Sequence, residues 1–118
     1  MKKIAFDVDD TLIVPSVAND TGRDVPNYPV IELYKMFESQ GCYMIIWSGS
    51  GVDYASTWSE KLGLKPHEVR PKEKSFLNGD VYVDIAFDDC DVDLAKVNIK
   101  IKRINNSISR KEWNVNKK

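Results

Sequence analysis

Cysteine and histidine are scarce in this chain. With two cysteines, Cys42 and Cys90, and one histidine, His67, in 118 residues, neither a disulfide framework nor a zinc site built on Cys and His is encoded. Both thiols read as reduced, which points to a cytoplasmic protein, and His67 reads as an ordinary loop residue. Long apolar runs are missing too. No stretch approaches the roughly 18 residues that a membrane span needs. The N-terminus places two lysines and three apolar residues ahead of carboxylates, which is not the pattern of a secretory signal. Charge of one sign is also absent: a net charge of −1 gives no global attraction to nucleic acid or membrane. No internal repeat or low-complexity segment breaks the chain. A hydrophobic fraction of 42% beside 30% charged residues describes a soluble domain with one core.

What is present concentrates at the end of the first apolar run. Ile4–Phe6 drives directly into Asp7-Val8-Asp9-Asp10-Thr11-Leu12. Stripping water from a carboxylate is costly, so Asp7 belongs at the carboxyl edge of a sheet, where open α/β sheets bind their ligands. Asp7 and Asp9 project to the same side of an extended chain. Their mutual repulsion calls for a proton or a cation between them, and a hard ion with oxygen ligands such as Mg²⁺ suits the residues best.

The remaining elements alternate. The stretch Ile13–Pro29, with three prolines and a glycine, reads as a loop walling the acidic strand end, with Arg23 as its one cation. Pro29–Gln40 carries Val30, Leu33, Tyr34 and Phe37 at helical spacing and stops at Gly41. Cys42–Trp47 is a continuous apolar run, as expected of a parallel strand, and it ends in Ser48-Gly49-Ser50-Gly51. A hydroxyl, backbone amides and the start of a helix make that turn a candidate anion site. Val52–Leu62 is a second helix, with Tyr54, Ala55, Trp58 and Leu62 on a core-facing side. A short strand over His67–Val69 leads into the cationic loop Arg70–Lys74. After the Asn78-Gly79 turn signal, Val81–Phe87 reads as a strand closing on Asp88-Asp89. Asp91 and Asp93 mark a helix start, and Val97–Ile104 alternates as an edge strand with a wet face. The predicted architecture is α/β: a single Rossmann-like domain over 1–104, with a mostly parallel central sheet and helices on both faces. A polar tail follows over 105–118. From Lys102 onward the chain holds six cations against the single carboxylate of Glu112, which reads as a solvated end.

In a parallel sheet all strands end on one side, so Asp7/Asp9, Ser48 and Asp88/Asp89 should meet at one edge, with Lys72 or Lys74 approaching from the preceding loop. Carboxylates, a hydroxyl and a lysine gathered at one place fit a Mg²⁺-phosphate site. On these residues the chain resembles the haloacid dehalogenase-like (HAD) phosphatases. Asp7-Val8-Asp9-Asp10-Thr11 is similar to their D-x-D-x-T motif. Ile46-Trp47-Ser48 is similar to the second motif, Lys72 or Lys74 to the third-motif lysine, and Ile85–Asp89 to the acidic fourth motif.

The resemblance implies Asp7 as nucleophile, Asp9 as general acid and base, and Thr11 as a residue of the phosphate-binding loop that holds its geometry. Ser48, the Gly49 amide and Lys74 would bind phosphate, and Lys72 would stabilise the transferring group. A Mg²⁺ ion would be held by Asp7, Asp9 and the Asp88/Asp89 pair, and Asp84 competes for the last of these roles. No segment is long enough for a cap domain, so a large phosphorylated substrate is expected. A narrower likeness to polynucleotide 3′-phosphatase domains makes a nucleic-acid end one candidate. A receiver-type phosphoacceptor domain, a phosphotransferase variant and a catalytically silent metal-binding interaction module are the competing readings.

Overall fold

The computed structural model describes residues 1–16 and 22–102; the basic tail over 105–118 and the end of the last expected strand lie outside them. Five strands form the central sheet: β1 (Lys3–Asp7), β4 (Tyr43–Ser48), β5 (Glu68–Pro71), β8 (Ile85–Asp88) and β9 (Val97–Lys100). Their order is β5-β4-β1-β8-β9, and every pairing is parallel. The α/β class and the Rossmann-like parallel sheet are as the sequence pattern predicts. Two short antiparallel ribbons flank the sheet. β2 (Ile13–Val14) pairs with β3 (Val25–Pro26), and β6 (Phe76–Leu77) pairs with β7 (Asp80–Val81).

The helices α1 (Tyr28–Ser39) and α2 (Val52–Lys61) lie close to the predicted bounds. They do not cover both faces as expected. Val30, Ile31 and Tyr34 of α1 and Ala55 of α2 join Ile4, Phe6, Met44, Ile46 and Phe87 in one buried cluster. Phe6 stacks on Phe87 at 4.7 Å and meets Tyr34 edge-on at 5.3 Å, contacts that add to simple area burial. The opposite face, Ala5, Ile45, Trp47 and Ala86, is covered instead by the non-helical residues Tyr82, Val83, Leu94 and Ala95.

The reason is local. The Asn78-Gly79 pair takes positive φ at both positions, 54° and 83°, which is the backbone of a tight hairpin turn. Val81 is therefore spent on the β6–β7 ribbon, and the fourth sheet strand starts only at Ile85. Between β8 and β9 the expected helix is absent. The Asn98 side chain accepts the Leu94 and Ala95 N–H groups and donates to the Ala95 carbonyl, a compact turn that satisfies those backbone groups without helix. β9 is an edge strand as expected, but Asn98 is its half-buried residue, whereas Val97 and Ile99 are 51% and 39% exposed.

Candidate active site

The parallel register brings the ends of β1, β4, β5 and β8 to one edge, and the predicted residues converge there. Asp7, Ser48, Asp88 and Asp89 are all buried, Asp88 completely. The Lys72 ammonium lies 3.6 Å from Asp7 Oδ1 and 3.1 Å from Asp88 Oδ2. Lys72 follows β5 immediately, and its backbone N–H donates to the Ser48 carbonyl at 3.1 Å. The lysine is thus tied to the neighbouring strand end as well as to the acids. Lys74 is elsewhere: it is half exposed and pairs with Asp93 at 3.0 Å.

After β1 the chain makes a tight turn. The N–H groups of Thr11, Leu12 and Ile13 all donate to the Val8 carbonyl, and Asp10 takes the left-handed conformation at φ 61°, one that Asp tolerates better than most residues. The turn presents Asp9 toward α2, where its Oδ1 accepts the Tyr54 hydroxyl at 2.5 Å. Thr11 is fully buried, and its hydroxyl donates to Asp7 Oδ2 at 3.4 Å. Thr11 therefore orients the carboxylate rather than facing a bound phosphate. Asn27, ahead of α1, locks the turn from behind: its Nδ2 donates to the Thr11 carbonyl at 3.0 Å and its N–H to the Leu12 carbonyl at 2.8 Å.

At the end of β4 the Ser48 hydroxyl oxygen accepts the Ser50 N–H at 3.0 Å, so the hydroxyl hydrogen can point outward to an acceptor. Gly49 is exposed at the turn. Gly51 precedes α2 at φ 103°, a conformation that favours glycine.

Electrostatics follow from this crowding. Burial, then the Asp88 carboxylate, push the Asp7 carboxyl up to about 8, with Asp89 adding to the rise and Lys72 opposing it. Burial pulls the Lys72 ammonium down, but Asp7 and Asp88 outweigh it and hold the proton on. Asp88 Oδ2 is buried and has the ammonium beside it without an aligned hydrogen bond. Lys72 faces two of the three buried acids while Asp89 lies against Asp7, and an under-bonded carboxylate oxygen among them suits a bound cation. Asp88, Asp89 and Cys90 form a group whose donor atoms lie within 4.8 Å of one another and could hold a metal ion.

Other candidates fall away from the edge. Asp84 accepts the Lys3 N–H at 2.8 Å at the opposite end of β1, so it does not compete with Asp88. Arg23 is exposed beyond β2. His67 accepts the Met44 N–H through Nδ1 at 3.0 Å and stacks on Tyr43, a structural role. Three roles escaped the sequence reading: Tyr54 as the Asp9 partner, Asn27 as the lock of the turn, and Cys90, read only as a reduced thiol beside the acidic pair, as a third donor of a group that could hold a metal ion. Only Tyr54 carried a signal, since a tyrosine on an otherwise apolar helix face needs a partner for its hydroxyl.

No protein-family model matches the chain, and no curated protein matches it either. Among solved structures, a chain of the Pnkp1/Rnl/Hen1 complex superposes with a TM-score of 0.62 at 19% identity. The match covers 85% of this chain and 45% of that one, so this chain spans less than half of that neighbour's length. The likeness is one of fold. Among the described residues no helix is long and apolar enough to cross a membrane.

Proposed function

We propose that this chain is a Mg²⁺-dependent phosphomonoester hydrolase of the HAD type that works through an aspartyl phosphate on Asp7. The observation that supports this most is the placement of the Lys72 ammonium between two buried carboxylates, 3.6 Å from Asp7 and 3.1 Å from Asp88. An isolated buried acid would be a liability. A nucleophilic acid beside a cation is ready for a phosphoryl group whose charge must be shared.

Asp7, Asp88 and Asp89 would hold the ion, with Asp9 at its side. When bound, Mg²⁺ would neutralise phosphate oxygens and keep Asp7 ionised. The chain's own groups do the rest. An Asp7 oxygen attacks phosphorus as the bond to the leaving oxygen breaks, and Asp9 gives that oxygen its proton. Lys72 and the Ser48 hydroxyl take the non-bridging oxygens. Water then attacks the phosphorus, Asp9 takes the water's proton, and the bond to Asp7 breaks to release inorganic phosphate and free Asp7. Thr11 holds the carboxylate in line throughout.

No cap covers this edge among the described residues, which favours large phosphorylated substrates. Oligonucleotides with a terminal phosphate head the screen, given the likeness of the motifs to polynucleotide 3′-phosphatase domains. The two unbridged cysteines are in keeping with a cytoplasmic enzyme. The test is phosphate release from p-nitrophenyl phosphate and from phosphorylated oligonucleotides, with Mg²⁺ and with chelator, for wild type and Asp7→Asn. Metal-dependent turnover that disappears in Asp7→Asn is the expected result. Mg²⁺ binding that is lost in Asp88→Asn without turnover on any phosphomonoester would favour the silent metal-binding module instead.

A further inference from the structure

We propose that Tyr54 is a positioning residue for Asp9, deciding which oxygen of that carboxyl handles the proton; this rests on the phosphatase reading above. Tyr54 sits in the first turn of α2, on the helix that follows the Ser48 turn. Its ring packs against the buried cluster formed by β1, β4 and the two helices, and its hydroxyl reaches Asp9 Oδ1 at 2.5 Å. The ring anchors the hydroxyl, so the contact does not depend on a freely rotating side chain.

The direction of this hydrogen bond is fixed. A phenol hydroxyl carries a proton to give and a carboxylate oxygen carries none, so Tyr54 is the donor and Asp9 Oδ1 the acceptor. Oδ1 is therefore an acceptor in both protonation states of Asp9, and a carboxyl proton belongs on Oδ2. Turning the protonated carboxyl so that its O–H faced Tyr54 would forfeit the bond that Tyr54 donates. Asp9 lies two residues beyond the nucleophile, in a turn whose next residue, Asp10, is left-handed. Tyr54 supplies the side-chain restraint that this turn alone does not. In the forward step Oδ2–H passes its proton to the departing ester oxygen while the P–O bond breaks. In the return step Oδ2 accepts a proton from water. Tyr54 touches neither substrate nor phosphorus and acts through Asp9 alone.

A plain cement between α2 and the loop would show the same contact, and leaving-group dependence separates the two. An alkyl phosphate needs its leaving oxygen protonated, whereas p-nitrophenolate departs readily without a proton. kcat/KM reports the steps up to that departure. General acid catalysis is worth about 10²–10⁴ in rate, so Tyr54→Phe should cost the alkyl ester about tenfold or more beyond its cost to p-nitrophenyl phosphate. In an Asp9→Asn background the same substitution should add nothing further, because the group it positions is gone.

A selective loss that vanishes in that background is the expected result. Equal losses on both esters, or an undiminished loss beside Asp9→Asn, would overturn the inference while leaving the phosphatase reading intact. If wild type with Mg²⁺ turns over neither ester, nor any phosphorylated oligonucleotide, the phosphatase reading fails and takes this inference with it.

Discussion

Replacing Asp7 by a residue that does not titrate should make the metal-free protein more stable. Asp7 is buried beside Asp88 and Asp89, and its carboxyl holds a proton up to about pH 8 instead of releasing it near the ordinary 3.8. At pH 7 the folded protein therefore carries a proton that the unfolded chain has given up. About three pH units separate 7 from the ordinary value, each worth about 1.4 kcal/mol, so the cost is bounded at roughly 4 kcal/mol. Water at the open edge and adjustment of Lys72 reduce it to about 1–2 kcal/mol. Asp7→Asn removes the titration and keeps the shape. Thr11 retains an oxygen or amide to bond, and Lys72 retains Asp88 at 3.1 Å.

In chelator at pH 7, the urea midpoint of Asp7→Asn should rise by about 1 M, given a slope of about 1–1.5 kcal/mol per M for a domain of this size. The gap should close as pH falls toward 4, because the unfolded carboxyl then keeps its proton as well, and it should be widest above pH 8. Mg²⁺ at ten times its Kd should add about 1.4 kcal/mol to wild type and distinctly less to the variant. A variant less stable than wild type in chelator, or a gap that does not change between pH 7 and pH 5, would refute the electrostatic account of the site.

Further predictions concern individual contacts. Lys72→Met should lower kcat on p-nitrophenyl phosphate by about 10²–10³, the range for losing one preorganised charge-stabilising donor, while Lys74→Met changes it by less than about threefold because its partner is an exposed acid. Asn27→Ala should cost about 1–3 kcal/mol in urea unfolding, since it strips the Thr11 carbonyl of its buried Nδ2 donor, and should weaken Mg²⁺ binding measured by titration calorimetry. Ile46→Ala, in the middle of β4 and fully buried, should cost about 2–5 kcal/mol through the cavity it leaves, with no change in the Mg²⁺ dependence of whatever folded fraction remains.

The sequence was most informative where one strand period ran uninterrupted. Ile4–Asp7, Tyr43–Ser48 and Ile85–Asp88 are apolar runs that end in polar groups, and that pattern places both the sheet and its edge. The same logic explains why Lys72 reached the acids: it is the residue directly after the strand end at Pro71, whereas Lys74 is two residues further along a loop free to turn away. Misreadings gathered where a side-chain hydrogen bond outweighs propensity. Asp91 and Asp93 look like a helix start, but Asn98 already satisfies the nearby amides. Val81 looks like strand and is strand, yet the left-handed Asn78-Gly79 turn spends it on a ribbon outside the sheet. The covering of the second face by non-helical chain was not legible, because Tyr82, Val83, Leu94 and Ala95 show no period. Asn27 and Tyr54 act through contacts that span long stretches of sequence, and no local pattern announces such partners.

The strand order has a consequence for how the chain assembles. β1 is first in sequence but lies in the middle of the sheet, with β4 on one side and β8 on the other. The half built from β1, β4 and β5 can close from earlier chain, while β8 must travel back across the whole intervening sequence to dock. Such distant pairing is entropically expensive and slow. Asp88 is carried by β8, so the cluster of Asp7 and Asp88 exists only once β1 and β8 have paired. The finished edge thus depends on the long-range pairing of β1 with β8. An ion drawn to that edge would act late, holding shut the seam between β1 and β8, which makes the unfolding rate, more than the folding rate, the quantity that Mg²⁺ should change.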